Sequence, residues 1–252
     1  MDVRGAIPRT RLDSVLVDRG LVRSRASGRD LVRRGFVLVD GIIEVKASRS
    51  ITDNNDVSLS AEAPRYVSRG AEKLVAALRS FGYDCAGRRI VDIGASTGGF
   101  TEILLKNGAR EVFAVDVGRG QLAGSLAEDR RVHNLDGTDA RKLKGEEIAA
   151  PIDALVCDVS FISLAKALPQ PLMLVARRGW AIALIKPQFE VGPEFVGRDG
   201  VVRDPAVKTL AVDRVREWLQ SQSGWVVDGV MPSPIAGGSG NSEYLIGARR
   251  NA

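Results

Sequence analysis

The chain has 252 residues, 44% of them apolar and 27% charged, with a net charge of +5 at neutral pH. At roughly 100–200 residues per domain, this length holds one large domain or an ordinary domain plus a small one; the composition suits a chain that buries a full core and excludes disordered or collagen-like architectures. Two cysteines and one histidine are too few for a disulfide framework, a histidine-built metal site or a Ser-His-Asp triad, no apolar run approaches the roughly 18–20 residues of a membrane span, and the start MDVRGAIPRTR lacks an apolar signal stretch, so a cytosolic protein without a resident metal is expected.

The basic excess is concentrated at one end. Residues 1–35 hold nine arginines, Arg4 among them, against four aspartates, whereas residues 36–62 carry a net charge of −3. Arginine suits forked contacts to phosphate. Two readings of such a cluster stand: a surface for an acidic partner, most simply a nucleic acid, or a solvated helix face. Leu12, Val15, Leu16 and Val17 predict a short amphipathic helix ending at Gly20. Ser24 is an N-cap for a second helix running to Gly35, on which Arg25, Arg29 and Arg33 share a face flanked by Arg34 and Arg11, while Leu31 and Val32 point to the core. Residues 36–39 and 42–45, joined by Asp40-Gly41, predict a hairpin. SAEAP at residues 60–64 reads as a linker.

The stretch RLDSVLVDRGLVRSRASGRDLVRRGFVLVDG, from Arg11 to Gly41, resembles the small RNA-binding domain named after ribosomal protein S-four, also called the alpha-L motif. Its Arg-Leu-Asp, Ser-Arg and Gly-x-Val-x-Val-Asp-Gly elements occur in order. The resemblance implies binding of structured RNA through shape and backbone. It predicts a small α+β domain over residues 1–60, a linker over 61–65 and a second domain over 66–252.

The larger part opens with an apolar strand at residues 89–93 (RIVDI), a glycine-rich turn from Gly94 to Thr101, a helix over 102–106 and a strand over 111–117 that places Asp116 near its end. Strand, glycine turn, helix and strand with a terminal acid begin a doubly wound nucleotide-binding sheet. Glycines at 94, 98 and 99 let the backbone approach a ligand. Asp116 either accepts from ribose hydroxyls or serves the turn. Asp92 is expected to order the loop, and Asp139 to take an adenine amino group. Further strands are expected at 131–135, 152–159, 180–186, 224–231 and 243–248, seven in all and ending in a hairpin. That order favours the Rossmann-like α/β fold of S-adenosylmethionine (AdoMet) methyltransferases over a nicotinamide-binding domain. Residues 187–205, with three prolines and three glycines, predict a functional loop that is mobile until it closes over RNA.

In an open sheet, ligands bind beyond the carboxyl ends of the parallel strands. Asp158, Lys186 and Glu243 all fall at that edge, and Lys73 lies on a helix before the first strand. Cys157 reads as core and His133 as structural. The segments YVSRGAEKL, DIGASTGGFT, CDVSFISL, ALIKPQFE and GNSEYLI, spread over residues 66–249, resemble the Lys-Asp-Lys-Glu RNA ribose 2′-O-methyltransferases of the FtsJ type. Joined to an S-four domain, they resemble the TlyA, or hemolysin A, family. The resemblance implies methylation of ribosomal RNA cytidines at the ribose 2′-oxygen, with ribosomal RNA or ribosomal subunits as partners. It implies a tetrad of Lys73, Asp158, Lys186 and Glu243, and an AdoMet site at Asp92, Gly94, Ser96, Thr97, Gly98, Gly99, Phe100, Asp116 and Asp139. Two departures are visible: Ala71-Glu72 stands where Gly-Leu often precedes the first lysine, and Thr138-Asp139-Ala140-Arg141 where Thr-Asn-x-Arg is common. A hydroxyl attacks a methyl group only once its proton is removed, so Lys186 is the expected base. Lys73 would lower its proton affinity as a like-charged neighbour, and the two carboxylates would oppose that. An RNA-binding assembly factor with an inactive methyltransferase fold, a membrane-active hemolysin and a base methyltransferase are the alternatives.

Overall fold

The computed structural model describes residues 9–252; Arg4 of the N-terminal arginine cluster lies outside them. The chain forms two compact units that divide between Arg65 and Tyr66.

The first unit holds β1 (Thr10–Arg11), α1 (Leu12–Asp18), α2 (Arg25–Arg33), β2 (Val37–Val39), β3 (Ile42–Ile43), β4 (Ser50–Ile51) and β5 (Val57–Leu59). β1 pairs with β4, and β2 lies between β3 and β5 in a three-stranded antiparallel sheet. The Ser24 hydroxyl accepts the Ser27 amide at 3.2 Å, satisfying one of the donors that open α2. Asp40 and Gly41 take positive φ angles of 53° and 77°, the left-handed pair a two-residue hairpin turn requires. Leu12, Leu16, Val32 and Val37 are fully buried and close the core of the unit; each such side chain contributes about 1.5–3 kcal/mol.

The second unit runs α3 (Gly70–Phe81), β6 (Arg89–Ile93), α4 (Gly99–Lys106), β7 (Glu111–Asp116), α5 (Gly124–Ala127), β8 (Val132–Asp136), β9 (Ile152–Cys157), α6 (Leu164–Ala167), α7 (Pro169–Met173), β10 (Val175–Ile185), α8 (Pro187–Glu190), α9 (Pro205–Ser221), β11 (Trp225–Pro232) and β12 (Tyr244–Arg250). Its seven-stranded sheet has the order β11-β12-β10-β9-β6-β7-β8, with β12 antiparallel to both neighbours and the other central strands parallel. The central strands β6, β7, β9 and the second half of β10 are apolar on both faces because both faces are covered. Val91, Phe113 and Leu155 pack with Val212, Val215 and Leu219 of α9, while Ile90, Val112 and Ala154 pack on the opposite face with Leu74 of α3 and Leu104 of α4. Adjacent positions go to opposite cores, as the two-residue period of a strand dictates.

β10 begins at Val175, five residues before the expected start. Its register shifts between Val175 and Trp180, where Arg178 adopts φ 63°. β9 ends at Cys157, so Asp158 is the first residue beyond it. The segment expected to be a mobile loop carries defined structure: Pro187, Pro193 and Pro205 each open a helix or helical turn, a position where the missing amide of proline costs nothing. Asn241, itself buried, pins the segment by accepting the Val202 amide at 2.9 Å and donating to the Gly200 carbonyl at 2.8 Å.

Candidate active site and nucleic-acid surface

A cavity of 1110 Å³ opens at the carboxyl edge of the second unit, and Gly94, Ser96, Asp116, Asp139 and Asp158 all line it. At Gly94 φ is +81°, and a β-carbon there would stand 2.5 Å from the Asp158 carbonyl oxygen, so only glycine allows β6 to turn beside β9. Asp116 fixes the turn with both oxygens, accepting the Ser96 amide at 2.9 Å and the Gly118 amide at 2.7 Å. The Ser96 hydroxyl reaches Gln121 at 3.0 Å, a loop partner that sequence reasoning missed. Asp139 holds Arg141 at 2.7 Å, and this guanidinium keeps its carboxyl below the usual range.

The other expected cofactor residues, Thr97, Gly98, Gly99, Phe100 and Asp92, do not line the cavity. Phe100 is 3% exposed in the core with Leu74 and Leu104. Asp92 is fully buried and accepts the Thr101 hydroxyl at 2.6 Å, tying β6 to α4. Burial pushes the Asp92 carboxyl up from 3.8 to about 7, helped by the charges of Asp158 and Asp116 and opposed by Thr101. Between those values the folded chain holds a proton that the unfolded chain has lost, so stability falls as pH rises through the interval. Asp92→Asn should flatten this fall in thermal midpoints measured from pH 5 to 8. An unaltered slope would remove Asp92 as its source. Glu190, which burial also raises to about 7, leaves a residual slope of the same sign.

The four charged candidates form two ion pairs. Lys186 meets Asp158 at 2.6 Å and donates to the Ser160 hydroxyl at 2.8 Å. Lys73 donates to Glu243 at 2.6 Å, with side chains only 8% and 4% exposed. Lys186 and Glu243 line a second cavity of 350 Å³, which shares Ser160, Phe161, Gln188, Phe189 and Val196 with the first. A β-carbon on Gly70, one turn before Lys73 on α3, would lie 3.7 Å from Asp158 Oδ2, which ties the helix to the same site. Glu243 occupies the space where a Gly237 side chain would stand, so the first glycine of GGSGNSE makes room for the carboxylate. The partners the structure gives Lys186 are a carboxylate and a hydroxyl; Lys73, expected as its like-charged neighbour, is itself held by Glu243.

Ser160 and Phe161 were missed as individual residues, although both lie in the CDVSFISL segment. Phe161 is 91% exposed at φ 65°, with its ring 5.1 Å from that of Phe189. Cys157 is fully buried and burial pushes its thiol up, which leaves it a core residue. His133 stacks on Phe113 at 4.6 Å, on β8 away from the tetrad.

On the N-terminal unit the arginine stripe is organised by carboxylates. Asp13 is completely buried, and Arg11, Arg25 and Arg29 approach it at 3.0, 3.2 and 4.0 Å. Hydrogen bonds from Arg11 and then Arg25 hold its carboxyl below the usual range, against the opposing effect of burial. Arg33 and Arg34 gather on Asp30 instead, at 3.9 and 3.3 Å, and Arg34 also lies over the Phe36 ring. The single outward face expected from helical spacing is therefore two carboxylate-centred groups. The side chains of Arg11, Arg25, Arg29 and Arg33 stay 49%, 53%, 50% and 68% exposed, open enough to meet a second anion.

No helix among the described residues is long and apolar enough to cross a membrane. Residues 66–250 match the FtsJ-like methyltransferase family, and residues 10–57 match the S4 domain. The 16S/23S rRNA (cytidine-2′-O)-methyltransferase TlyA of Mycobacterium tuberculosis is 47% identical over 242 residues, spanning 96% of this chain and 90% of that protein. Hemolysin A of Brachyspira hyodysenteriae is 35% identical over 93% of this chain and 98% of its own length. A solved structure described as a hemolysin from Streptococcus thermophilus shares 36% identity, with a TM-score of 0.74 over 98% of this chain and 90% of that one. The tetrad edge and the glycine turn lie inside the first matched region, and by that match the chain belongs to the FtsJ-like methyltransferase family, in its TlyA branch that joins an S4 domain to the methyltransferase domain.

Proposed function

We propose that the protein transfers a methyl group from AdoMet to the ribose 2′-hydroxyl of a cytidine in ribosomal RNA. One observation carries this reading: one member of each of two lysine–carboxylate pairs, Lys186 and Glu243, lines a 350 Å³ cavity that shares a wall with the 1110 Å³ cavity lined by Gly94 and Ser96 of the glycine turn. The activity named for the Mycobacterium tuberculosis relative supports the substrate.

The donor set of the larger cavity fits AdoMet. Two carboxylates, Asp116 and Asp139, offer acceptors for ribose hydroxyls and an exocyclic amine, and Val117 and Ile162 offer apolar walls for a purine. Bound there, AdoMet supplies a methyl group carried on a positively charged sulfur. Gly94 and Ser96 bring the backbone close, and Asp92 and Thr101 stiffen the turn from behind. Lys186 takes the 2′-hydroxyl proton, for which it must be the neutral amine when the ribose arrives. Asp158, Glu243 and Lys73 orient that amine and the ribose, and fixed alignment supplies a further part of the acceleration. The exposed Phe161 ring offers a stacking face for an unstacked base. The N-terminal unit, residues 1–60 with a linker over 61–65, holds the RNA through Arg11, Arg25, Arg29, Arg33 and Arg34.

The direct test is to incubate the protein with labelled AdoMet and separated ribosomal subunits and then map ribose methylation. Label on a base, or none on RNA, would overturn the reading. For the cofactor, Asp116→Ala should weaken AdoMet binding roughly 10–100-fold in calorimetry, the worth of charge-assisted hydrogen bonds of about 1.5–3 kcal/mol. Unchanged affinity would remove Asp116 from the site.

A further inference from the structure

Gln188 is the second residue of α8, two positions beyond Lys186, and it lines both cavities. Its amide oxygen is shielded from solvent and has no hydrogen-bond partner. An acceptor left buried and unpaired destabilises the fold that holds it, so a native protein that keeps one calls for an explanation. A ligand that brings a donor to this point supplies it.

The position of Gln188 narrows what that donor is. On the cofactor side, Asp116 and Asp139 already stand ready as acceptors in the larger cavity. Gln188 instead shares the smaller cavity with Lys186 and Glu243, where the proposed function seats the ribose. The neighbouring wall is aromatic, with the Phe161 and Phe189 rings 5.1 Å apart and both lining the smaller cavity. A flat group with a polar edge fits beside such rings, and the base attached to the reacting ribose is one. Cytosine and uracil differ at that edge: cytosine carries an exocyclic amine, a donor, where uracil carries a carbonyl oxygen, an acceptor. A fixed amide oxygen accepts from the amine and repels the carbonyl.

We propose that Gln188 is a specificity-determining residue, its buried amide oxygen accepting from the exocyclic amine of the target cytosine and so favouring cytidine over uridine. The inference rests on the proposed function and assigns the base-reading contact within that same site. It also explains the missing partner: the acceptor is satisfied in the RNA complex.

The test uses the full-length protein and a ribosomal RNA fragment spanning the cytidine mapped in the labelling experiment. Two further fragments carry uridine, or a 2-pyrimidinone nucleoside lacking the amine, at that position. Gln188→Leu keeps the volume and removes the acceptor. Its kcat/KM on the cytidine fragment should fall roughly 10-fold, the worth of one hydrogen bond to a buried group. The cytidine-to-uridine ratio should fall by at least that factor, since the repulsion of the uracil carbonyl is lost as well, and the 2-pyrimidinone fragment should be used equally by wild type and variant. Gln188→Glu, which still accepts, should keep the preference for cytidine. The thermal midpoint of Gln188→Leu should equal or exceed that of the wild type, because an unpaired acceptor has been replaced by an apolar group. An unchanged cytidine-to-uridine ratio, a lower midpoint or weakened AdoMet binding in calorimetry would each overturn the inference, the last by assigning the oxygen to the cofactor. Absence of methyl transfer by the wild type falls on the proposed function itself and is read separately from these ratios.

Discussion

Lys186→Ala should lower single-turnover methyl transfer by about 10²–10⁴-fold, the usual contribution of a positioned proton acceptor, while AdoMet affinity stays close to that of the wild type. The second half follows from placement: Lys186 lines the smaller cavity and is absent from the wall of the larger one. Alanine also deprives Asp158 of its partner at 2.6 Å, so the loss could reflect charge as well as proton removal. Lys186→Arg separates the two. Arginine keeps a positive charge beside Asp158, and it does not give up its proton in a protein. If Lys186 takes the hydroxyl proton, the arginine variant should be as inactive as the alanine variant. Near-wild-type transfer by Lys186→Arg would show that the side chain acts as a fixed charge and would move the base elsewhere in the tetrad.

Much of the second unit was legible because its central strands are buried on both faces. Such strands read as unbroken apolar runs: RIVDI, EVFAVD and WAIALI announce β6, β7 and the second half of β10. The first half of β10 was hidden, since Arg177 and Arg178 are exposed where the strand crosses its register shift. Residues 187–205 conceal local structure for a related reason. Proline and glycine mark breaks in regular structure, yet three of these prolines open helical turns, and the segment is then held by Asn241 from a different loop. Nothing in the local sequence signals an anchor about forty positions away.

The edge that gathers the charged residues was legible from strand order alone, because parallel strands deliver their carboxyl ends together. The pairing was not. Lys73 and Glu243 lie 170 positions apart, and spacing on one helix or strand carries no information about a contact of that range. Nor was the division of the glycine turn: Gly94 and Ser96 reach the cavity while Phe100 turns into the core, a split decided by how α4 leaves the turn. Short polar side chains were the commonest omissions. Ser160, Gln188 and Asn241 matter through single hydrogen-bonding atoms, and a serine or amide in a loop looks like any other solvated residue until its neighbours are known.

The arginines of the N-terminal unit give the sharpest divergence between pattern and structure, and with it a two-part expectation. Helical spacing predicted an outward stripe, and Arg25, Arg29 and Arg33 are indeed half exposed or more. Two of them also neutralise Asp13, which has no exposure of its own. A variant with all three changed to alanine leaves Asp13 with Arg11 as its remaining cation among the partners shown. Breaking a buried ion pair by removing one partner costs about 3–5 kcal/mol, and the retained Arg11 places the expected loss below that range. For a unit of this size that is a large share of its stability, so the triple variant alone would confuse lost folding with lost recognition. Adding Asp13→Asn removes the stranded charge and should restore the thermal midpoint of the unit. In that stabilised background the arginines can be judged as RNA ligands. If each contacts a phosphate, the slope of log K against log salt should fall by roughly 2–3, since each contact contributes about 0.7–0.9. Turnover at saturating RNA should change far less than turnover at limiting RNA, because the lost contacts act on binding and not on the reacting groups. A restored midpoint with an unchanged salt slope would mean that these arginines serve Asp13 and Asp30 alone, and that RNA is held elsewhere on the protein.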